Sequence, residues 1–228
     1  MTRAKGRWSE VLLSYCPDIS DLLFGSVAEK GAVKLAPAMG VPVHFLLQLF
    51  QVEDKRFIVH PGVDPIAVLR AATANGTSTG VIQGASTITQ QLYNVQRMAK
   101  RKARHRGPTY KVGQTAWALA KERHSSKREI LSEYLDTIYW GRLYYGIDAA
   151  ASGYFRTDRD KITVAQGFFL AERLASPNML SIGRVQTLLQ RASIAEMFAQ
   201  DANARGELTD IYEEHFRCGD GLRQLLLT

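Results

Sequence analysis

Apolar residues along this chain recur mostly at helical spacing. After Pro42, a residue suited to a first helical position, Leu46, Leu49, Phe50 and Glu53 fall at i, i+3, i+4 and i+7, which predicts a helix with one carboxylate on its apolar face. Ile130, Leu131, Tyr134, Leu135 and Ile138 form a second stripe that ends before Gly141. Thr87 with Gln90, Ser126 with Glu129, and Thr163 with Gln166 each fit a capping box ahead of an apolar run. A further helix is expected from Val185 to about Ala202. Alternating strand patterns are scarce and short. The pattern therefore predicts a mainly α-helical domain over 40–202, preceded by an N-terminal lobe or arm (1–39) and followed by a C-terminal helical tail (203–228).

Length and composition add bounds. A chain of 228 residues with 46% hydrophobic and 22% charged residues suits one folded domain with an appendage and excludes a disordered or low-complexity chain. The longest stretch without charge, Leu35 to Val52, is interrupted by Pro37, Pro42, His44, Gln48 and Gln51, so no transmembrane helix is expected. The start MTRAKGRWSEVLLSYC is positive, but its apolar run is too short for a signal peptide, so neither an export signal nor an anchor is expected. Cys16 and Cys218 allow at most one bridge, which excludes a disulfide scaffold.

A net charge of +7 favours anionic partners. Much of it lies in residues 97–111, which hold Arg97, Lys100, Arg101, Lys102, Arg104, Arg106 and Lys111. This run reads as a solvated loop, a nucleic-acid contact, or a clamp for headgroups and diphosphates. Tyr110 is its only ring, so stacking on single-stranded bases has little support. Residues 73–86, rich in Gly, Ser and Thr, read as a surface loop.

The first candidate for chemistry is Glu53. An apolar wall disfavours the charged carboxylate and suits it to acid–base work; the bland alternative is a helix-end residue at the rim of the core. It opens the string EDKRFIVHPGVD, where Asp54, His60 and Asp64 follow closely, and His60 reads better as a hydrogen-bonded loop histidine than as a metal ligand. The second candidate is GASTITQQL, Gly84 to Leu92. Its helix start at Thr87 favours an anion such as phosphate, or is simply a capped helix, and Gln90 and Gln91 add neutral donors and acceptors on the first turn. No zinc-ligand spacing, no GxxxxGK[ST] and no GxSxG string is present, which leaves metallohydrolase, P-loop and α/β-hydrolase chemistry without support.

EDKRFIVHPGVD, GASTITQQL and SSKREILSEYLDTIYWGRLYYGIDAAASGYF, in that order, resemble the peptidoglycan glycosyltransferase domain (family 51) of class A penicillin-binding proteins and monofunctional transglycosylases. The resemblance runs from about Pro42 to Asn178 and includes ITVAQGFFLAERLASPN. It implies a lysozyme-like helical fold with a small membrane-facing lobe, and polymerisation of lipid II into glycan strands. It further implies that Glu53 is the general base on the acceptor hydroxyl, with inversion at the donor carbon and undecaprenyl diphosphate as leaving group. Ser86, Gln90 and Gln91 match donor-site positions, and Asp54, Arg97, Lys100, Lys111 and Gln114 join them as expected substrate-binding residues. The implied partners are lipid II, the growing glycan strand, the membrane surface and cell-wall synthesis proteins, with no nucleic acid. The implied location is the periplasm or the outer face of the bacterial cytoplasmic membrane, peripherally bound. No cofactor is required by any string; a divalent cation, Mg or Mn, accompanying the substrate diphosphate is the one candidate.

The departures from that family are specific. Its RKxxE string falls on Tyr110, Lys111 and Gln114, so the second glutamate is replaced by a neutral amide. The lysine expected after QQL is Asn94, and the asparagine of its YLN string is Asp136. The interval before Lys111 is longer than usual and basic, which makes Arg97 and Lys100 the nearest replacements for the missing cation. Glu122 stands eight residues beyond Gln114, about 12 Å along a helix, too far to replace it. Three readings follow: a lipid II polymerase, a degenerate member that binds lipid II or glycan without turnover, and a lysozyme-like hydrolase, the last disfavoured by the missing second carboxylate.

Overall fold

Capping side chains start three of the helices that position the site. In the computed structural model, which describes residues 27–76, 86–99 and 107–216, helix α1 (27–39) ends at Gly40 and α2 (Val43–Glu53) follows with Pro42 as its cap, so the helix begins one position later than the pattern predicts. Then come α3 (Pro65–Gly76), α4 (Ile88–Ala99), α5 (Pro108–His124), α6 (Lys127–Thr137), α7 (Ile147–Phe155), α8 (Val164–Arg173), α9 (Ile182–Leu189), α10 (Ala192–Gln200) and α11 (Ala204–Phe216). All three expected capping boxes form. Ser126 with Glu129 starts α6 and Thr163 with Gln166 starts α8. Thr87 N–H donates to Gln90 Oε1 while Gln90 N–H donates to Thr87 Oγ1, each at 3.2 Å, at the start of α4. The only strand-like pairing among the described residues is an isolated bridge between Tyr139 and Tyr145. The domain is mainly helical, as the periodicity predicts, and consistent with a lysozyme-like fold.

The core is built on α2 against α8. Phe45, Leu46, Leu49 and Phe50 of α2 meet Ala165, Phe168, Phe169 and Leu170 of α8, all fully or almost fully enclosed. Gly167 allows the close approach: a Cβ there would stand 2.4 Å from Gln48 Oε1 and 3.3 Å from the Phe45 ring. Two α2 side chains stitch the start of α8 by donating to backbone carbonyls, Gln48 to Val164 at 2.9 Å and His44 to Ile162 at 2.8 Å. Ala28, Ala32, Leu35, Ala36 and Met39 of α1 join the same core, as do Leu208 and Tyr212 of α11. The Ile130, Leu131, Tyr134, Leu135 stripe is buried as predicted.

One expected helix is divided. Val185 to about Ala202 is split into α9 and α10, because Arg191 leaves the helical region (φ −67°, ψ 128°) to cap α10. The break turns the Arg191 guanidinium onto the Gln51 carbonyl in the last turn of α2, where carbonyls lack helical partners. That contact brings the end of α9 beside the end of α2, and Glu53 with it.

Candidate active site

Glu53 ends α2 with its carboxylate almost enclosed, its side chain 11% exposed. Its two oxygens have different surroundings. Oε2 accepts a 2.6 Å hydrogen bond from Gln91 Nε2, while Oε1 faces Arg184 Nη2 at 3.4 Å. Gln91 is oriented from behind: its Oε1 accepts the Tyr134 hydroxyl at 2.8 Å, which fixes the amide nitrogen toward Glu53. Burial pushes the Glu53 carboxyl above its ordinary range, against the Gln91 bond and the nearby Arg184 and Arg191 charges, and with the help of Asp54. Burial likewise pushes the Tyr134 phenol well up, so it stays a neutral donor. A desolvated carboxylate with one oxygen anchored is the arrangement of a general base.

Asp54 faces the other way. Its carboxylate takes His60 Nε2 at 2.9 Å and the Ile88 N–H at 3.0 Å. His60 Nδ1 accepts the Gly62 N–H at 3.0 Å, so the proton sits on Nε2 and His60 is a hydrogen-bonded loop histidine, as read from sequence. The helix start at α4 does attract an anion, and that anion is the protein's own Asp54, reaching across 34 positions. Thr87 adds a bond to the Gly62 carbonyl at 2.7 Å, which clamps the loop after Glu53 to α4. Asp64 is spent on structure: it pairs with Arg56 at 2.7 Å and caps α3 through the Ile66 and Ala67 N–H groups. Burial opposes its charge, yet Arg56 and the Ala67 N–H hold its carboxyl below the usual range.

On the other side of α4, three of the four departures from the family strings meet: Asn94, Tyr110 and Gln114. Gln114, buried on α5, donates from Nε2 to the Gln90 carbonyl at 2.9 Å and to Asn94 Oδ1 at 3.0 Å, and Tyr110 donates its hydroxyl to the same Asn94 oxygen. Gln114 Oε1 accepts Lys111 Nζ at 2.8 Å, and Lys111 reaches Ser86 Oγ at 3.1 Å. Partial burial holds the Lys111 ammonium below its usual range. Gln90 points inward, donating to Thr115 at 3.3 Å besides its cap. Arg97 donates to the Tyr93 hydroxyl at 3.2 Å and lies against the Tyr93 and Tyr110 rings. Glu122 is engaged with Thr89 and Lys127. Lys100, Cys16, Cys218 and residues 77–85 lie outside the described residues; the expected loop over 73–86 does not begin until after Gly76, because 73–76 continue α3.

Glu53 and Gln91 thus pair on one side of α4, and Gln90, Gln114, Lys111 and Ser86 are joined by hydrogen bonds on the other, with Arg97 further along the helix. Three participants were not singled out from sequence: Arg184, Arg191 and Glu172, which lies behind Arg184. A signal was present for Glu172 alone, in the charged pair Glu172-Arg173 inside an otherwise apolar run; Arg184 and Arg191 had none. The donor set does not fit a divalent cation: Gln114 is neutral, its oxygen is taken by the Lys111 ammonium, and Asp54 is already committed. Among the described residues no three His, Cys, Asp or Glu side chains are grouped to hold a metal.

Fold and site together define a mainly helical, lysozyme-like domain with a desolvated carboxylate beside a row of amides and cations. Comparison with known families gives the assignment: the family described as Transglycosylase matches residues 23–198, and the chain belongs to it. It is 33% identical over 137 residues to penicillin-binding protein 1A of Aquifex aeolicus (strain VF5), covering 60% of this chain and 18% of that protein. It is 31% identical over 162 residues to penicillin-binding protein 1A of Streptococcus oralis, covering 71% and 25%. A biosynthetic peptidoglycan transglycosylase of Methylobacillus flagellatus (strain ATCC 51484 / DSM 6875 / VKM B-1610 / KT) is 31% identical over 157 residues, covering 68% and 67%. The chain therefore spans a quarter or less of these two penicillin-binding proteins.

Proposed function

We propose that this chain is a peptidoglycan glycosyltransferase that polymerises lipid II, with Glu53 as general base. The observation that carries the proposal is the buried Glu53 carboxylate, its Oε2 fixed by Gln91 and its Oε1 turned toward the Arg184 side. In the reaction the acceptor hydroxyl passes its proton to Glu53 as its oxygen bonds the donor anomeric carbon. The carbon–oxygen bond to the diphosphate breaks with inversion, and undecaprenyl diphosphate departs with the electron pair. Lys111, with Ser86 and Arg97, supplies the charge and hydrogen bonds for that leaving group; Lys100 belongs to the same proposal. Gln90 and Gln114 hold the Lys111 side in place, and Asp54 acts on substrate through the α4 start that it anchors. Residues 40–202 are the body of the glycosyltransferase domain in this reading, with α1 and α11 packed on the same core at either end. The protein then works peripherally at the outer face of the cytoplasmic membrane, beside other cell-wall synthesis proteins; no described helix is long and apolar enough to cross a membrane.

Lipid II polymerisation by the purified protein, read on a gel, tests this. Wild type forms polymer, and Glu53→Gln loses about 100-fold or more of the rate, the scale of a general base. Polymer made equally well by Glu53→Gln removes the assigned role. One observation favours a second reading, a member that binds lipid II or glycan without turnover: Asn94, Tyr110 and Gln114 form a neutral knot where the family strings carry charge. Under that reading wild type binds lipid II but makes no polymer, and Asn94→Lys with Gln114→Glu restores activity.

A further inference from the structure

Arg184 on α9 stands between two buried carboxylates and completes a hydrogen bond with neither at short range. Its Nη2 is 3.4 Å from Glu53 Oε1, and its Nε is 3.9 Å from Glu172 Oε1. Glu172 lies wholly inside the protein on α8, and its oxygens are unequally served. Oε2 is crowded with donors: Arg173 Nε at 3.1 Å and Nη2 at 3.0 Å, and the Tyr212 hydroxyl at 3.2 Å. Oε1 has no hydrogen-bond partner, and neither has Arg184 Nε. A buried carboxylate oxygen and the enclosed Nε of the partly exposed Arg184 therefore face each other with their bond unmade, about 1 Å longer than an ordinary hydrogen bond. Glu53 mirrors this: Oε2 is fixed by Gln91, and Oε1 has only the long Arg184 contact among the described residues.

We infer that Arg184 is a positioning residue shared between Glu53 and Glu172: it rests on Glu53 Oε1 until the acceptor hydroxyl takes that oxygen, then withdraws to complete its bond with Glu172 Oε1. The inference rests on the proposed role of Glu53. Withdrawal has two consequences at the reacting atom. It vacates the oxygen that must receive the proton, and it removes a counter-charge that makes the carboxylate a weaker base. Glu172 makes withdrawal cheap, because the guanidinium exchanges one carboxylate for another and never stands alone in the interior. Arg184 keeps its protons throughout; the hydroxyl proton alone moves, to Glu53. The other ionisable groups facing Glu53 are Asp54 beside it on the chain, Arg191 at the break before α10 and Tyr134 on α6; Arg173 and Tyr212 face Glu172.

Two readouts on the full chain test the sharing. The first is the titration of the Glu53 side-chain carboxyl by 13C NMR, its signal assigned by loss in Glu53→Gln. The second is the pH profile of lipid II polymerisation. Arg184→Gln moves the Glu53 midpoint and the acidic limb of the rate profile to higher pH, and Arg184→Lys returns both toward wild type. Glu172→Gln moves both the opposite way, to lower pH, because Arg184 then stays on Glu53. Fixed charges alone also shift the two titrations in opposite directions, so the sharing is read from the double variant: Glu172→Gln made on Arg184→Gln leaves the Glu53 midpoint where Arg184→Gln put it, and an undiminished downward shift there overturns the inference. An Arg184→Gln midpoint equal to wild type overturns the inference, as do shifts of the same sign in both variants. Should Glu172→Gln fail to fold with Arg173 left uncompensated, the Arg184 pair still decides. Absence of polymer from wild type defeats the polymerase reading, while the NMR titration still decides whether Arg184 is shared.

Discussion

Replacing Asp54 by alanine separates a structural anchor from a substrate contact. The carboxylate, with 2% of its side chain exposed, accepts from the Ile88 N–H at 3.0 Å and from His60 Nε2 at 2.9 Å. Each is a hydrogen bond to an ionised group, on the order of 1.5–3 kcal/mol, and Asp54→Ala leaves both donors buried without an acceptor. The expected loss is about 3–5 kcal/mol, a large share of the roughly 5–15 kcal/mol that holds an ordinary domain folded. Asparagine does not rescue fully. Its amide can serve Ile88, but its NH2 then confronts His60 Nε2–H, and the other His60 tautomer is blocked because Nδ1 already accepts the Gly62 N–H. Urea unfolding followed by far-UV circular dichroism gives the number. The double variant Asp54→Ala, His60→Ala should cost less than the sum of the two single variants by about 1 kcal/mol, as contacting residues do. A loss below about 1 kcal/mol for Asp54→Ala, accompanied by weaker lipid II binding, would refute the anchor and return Asp54 to the substrate.

Glu53→Gln should stabilise the protein while it disables the site. The folded-state carboxyl is raised above its ordinary value of 4.5, so its favourable contribution is complete below that value and is lost as pH rises through the folded one. The variant, with no charge to bury, therefore has the higher Tm at pH 8 and converges on wild type near pH 4; equal Tm values at pH 8 contradict the assignment. Lys111→Ala should raise the KM for lipid II about tenfold or more, the worth of one charge-assisted contact, with Lys111→Arg much milder. Ala at Gly167 should cost about 1–3 kcal/mol in urea unfolding, because its Cβ meets Gln48 and Phe45 where α2 and α8 touch. Purified peptidoglycan should remain intact with wild-type protein, since the family's second glutamate is the neutral Gln114 here; release of soluble fragments would favour hydrolysis.

The parts of the fold written in short-range chemistry were legible. Three capping boxes, the Tyr134 stripe and the burial of Glu53 follow from spacings of three and four residues, and so does the hydrogen-bonded role of His60. What the sequence hid depends on contacts between distant segments. Asp54 fills the α4 start from 34 positions away, so a helix end that reads as a phosphate site is already satisfied. The break at Arg191 has no glycine or proline to mark it, because the gain is tertiary: its guanidinium reaches the Gln51 carbonyl on α2. Arg184 meets Glu53 across 131 positions, and no local pattern brings α9 to the end of α2.

The neutral knot on α5 changes where the site carries its charge. The family strings lead to a lysine at Asn94 and a glutamate at Gln114, and this chain lacks both, so the exchange leaves the net charge of the pair unaltered. Asn94 and Gln114 still bond to each other at 3.0 Å, and Gln114 still orients Lys111, now through a neutral oxygen. A carboxylate at 114 would offset much of the Lys111 charge; an amide leaves it to act outward. Arg97, held by the Tyr93 hydroxyl and two rings, adds a second cation on α4. Under the proposed function, Lys111 is then the cation offered to the diphosphate without a carboxylate partner. On this reasoning, Gln114→Glu made alone should weaken lipid II binding by pairing with Lys111, and Asn94→Lys must accompany it for any gain.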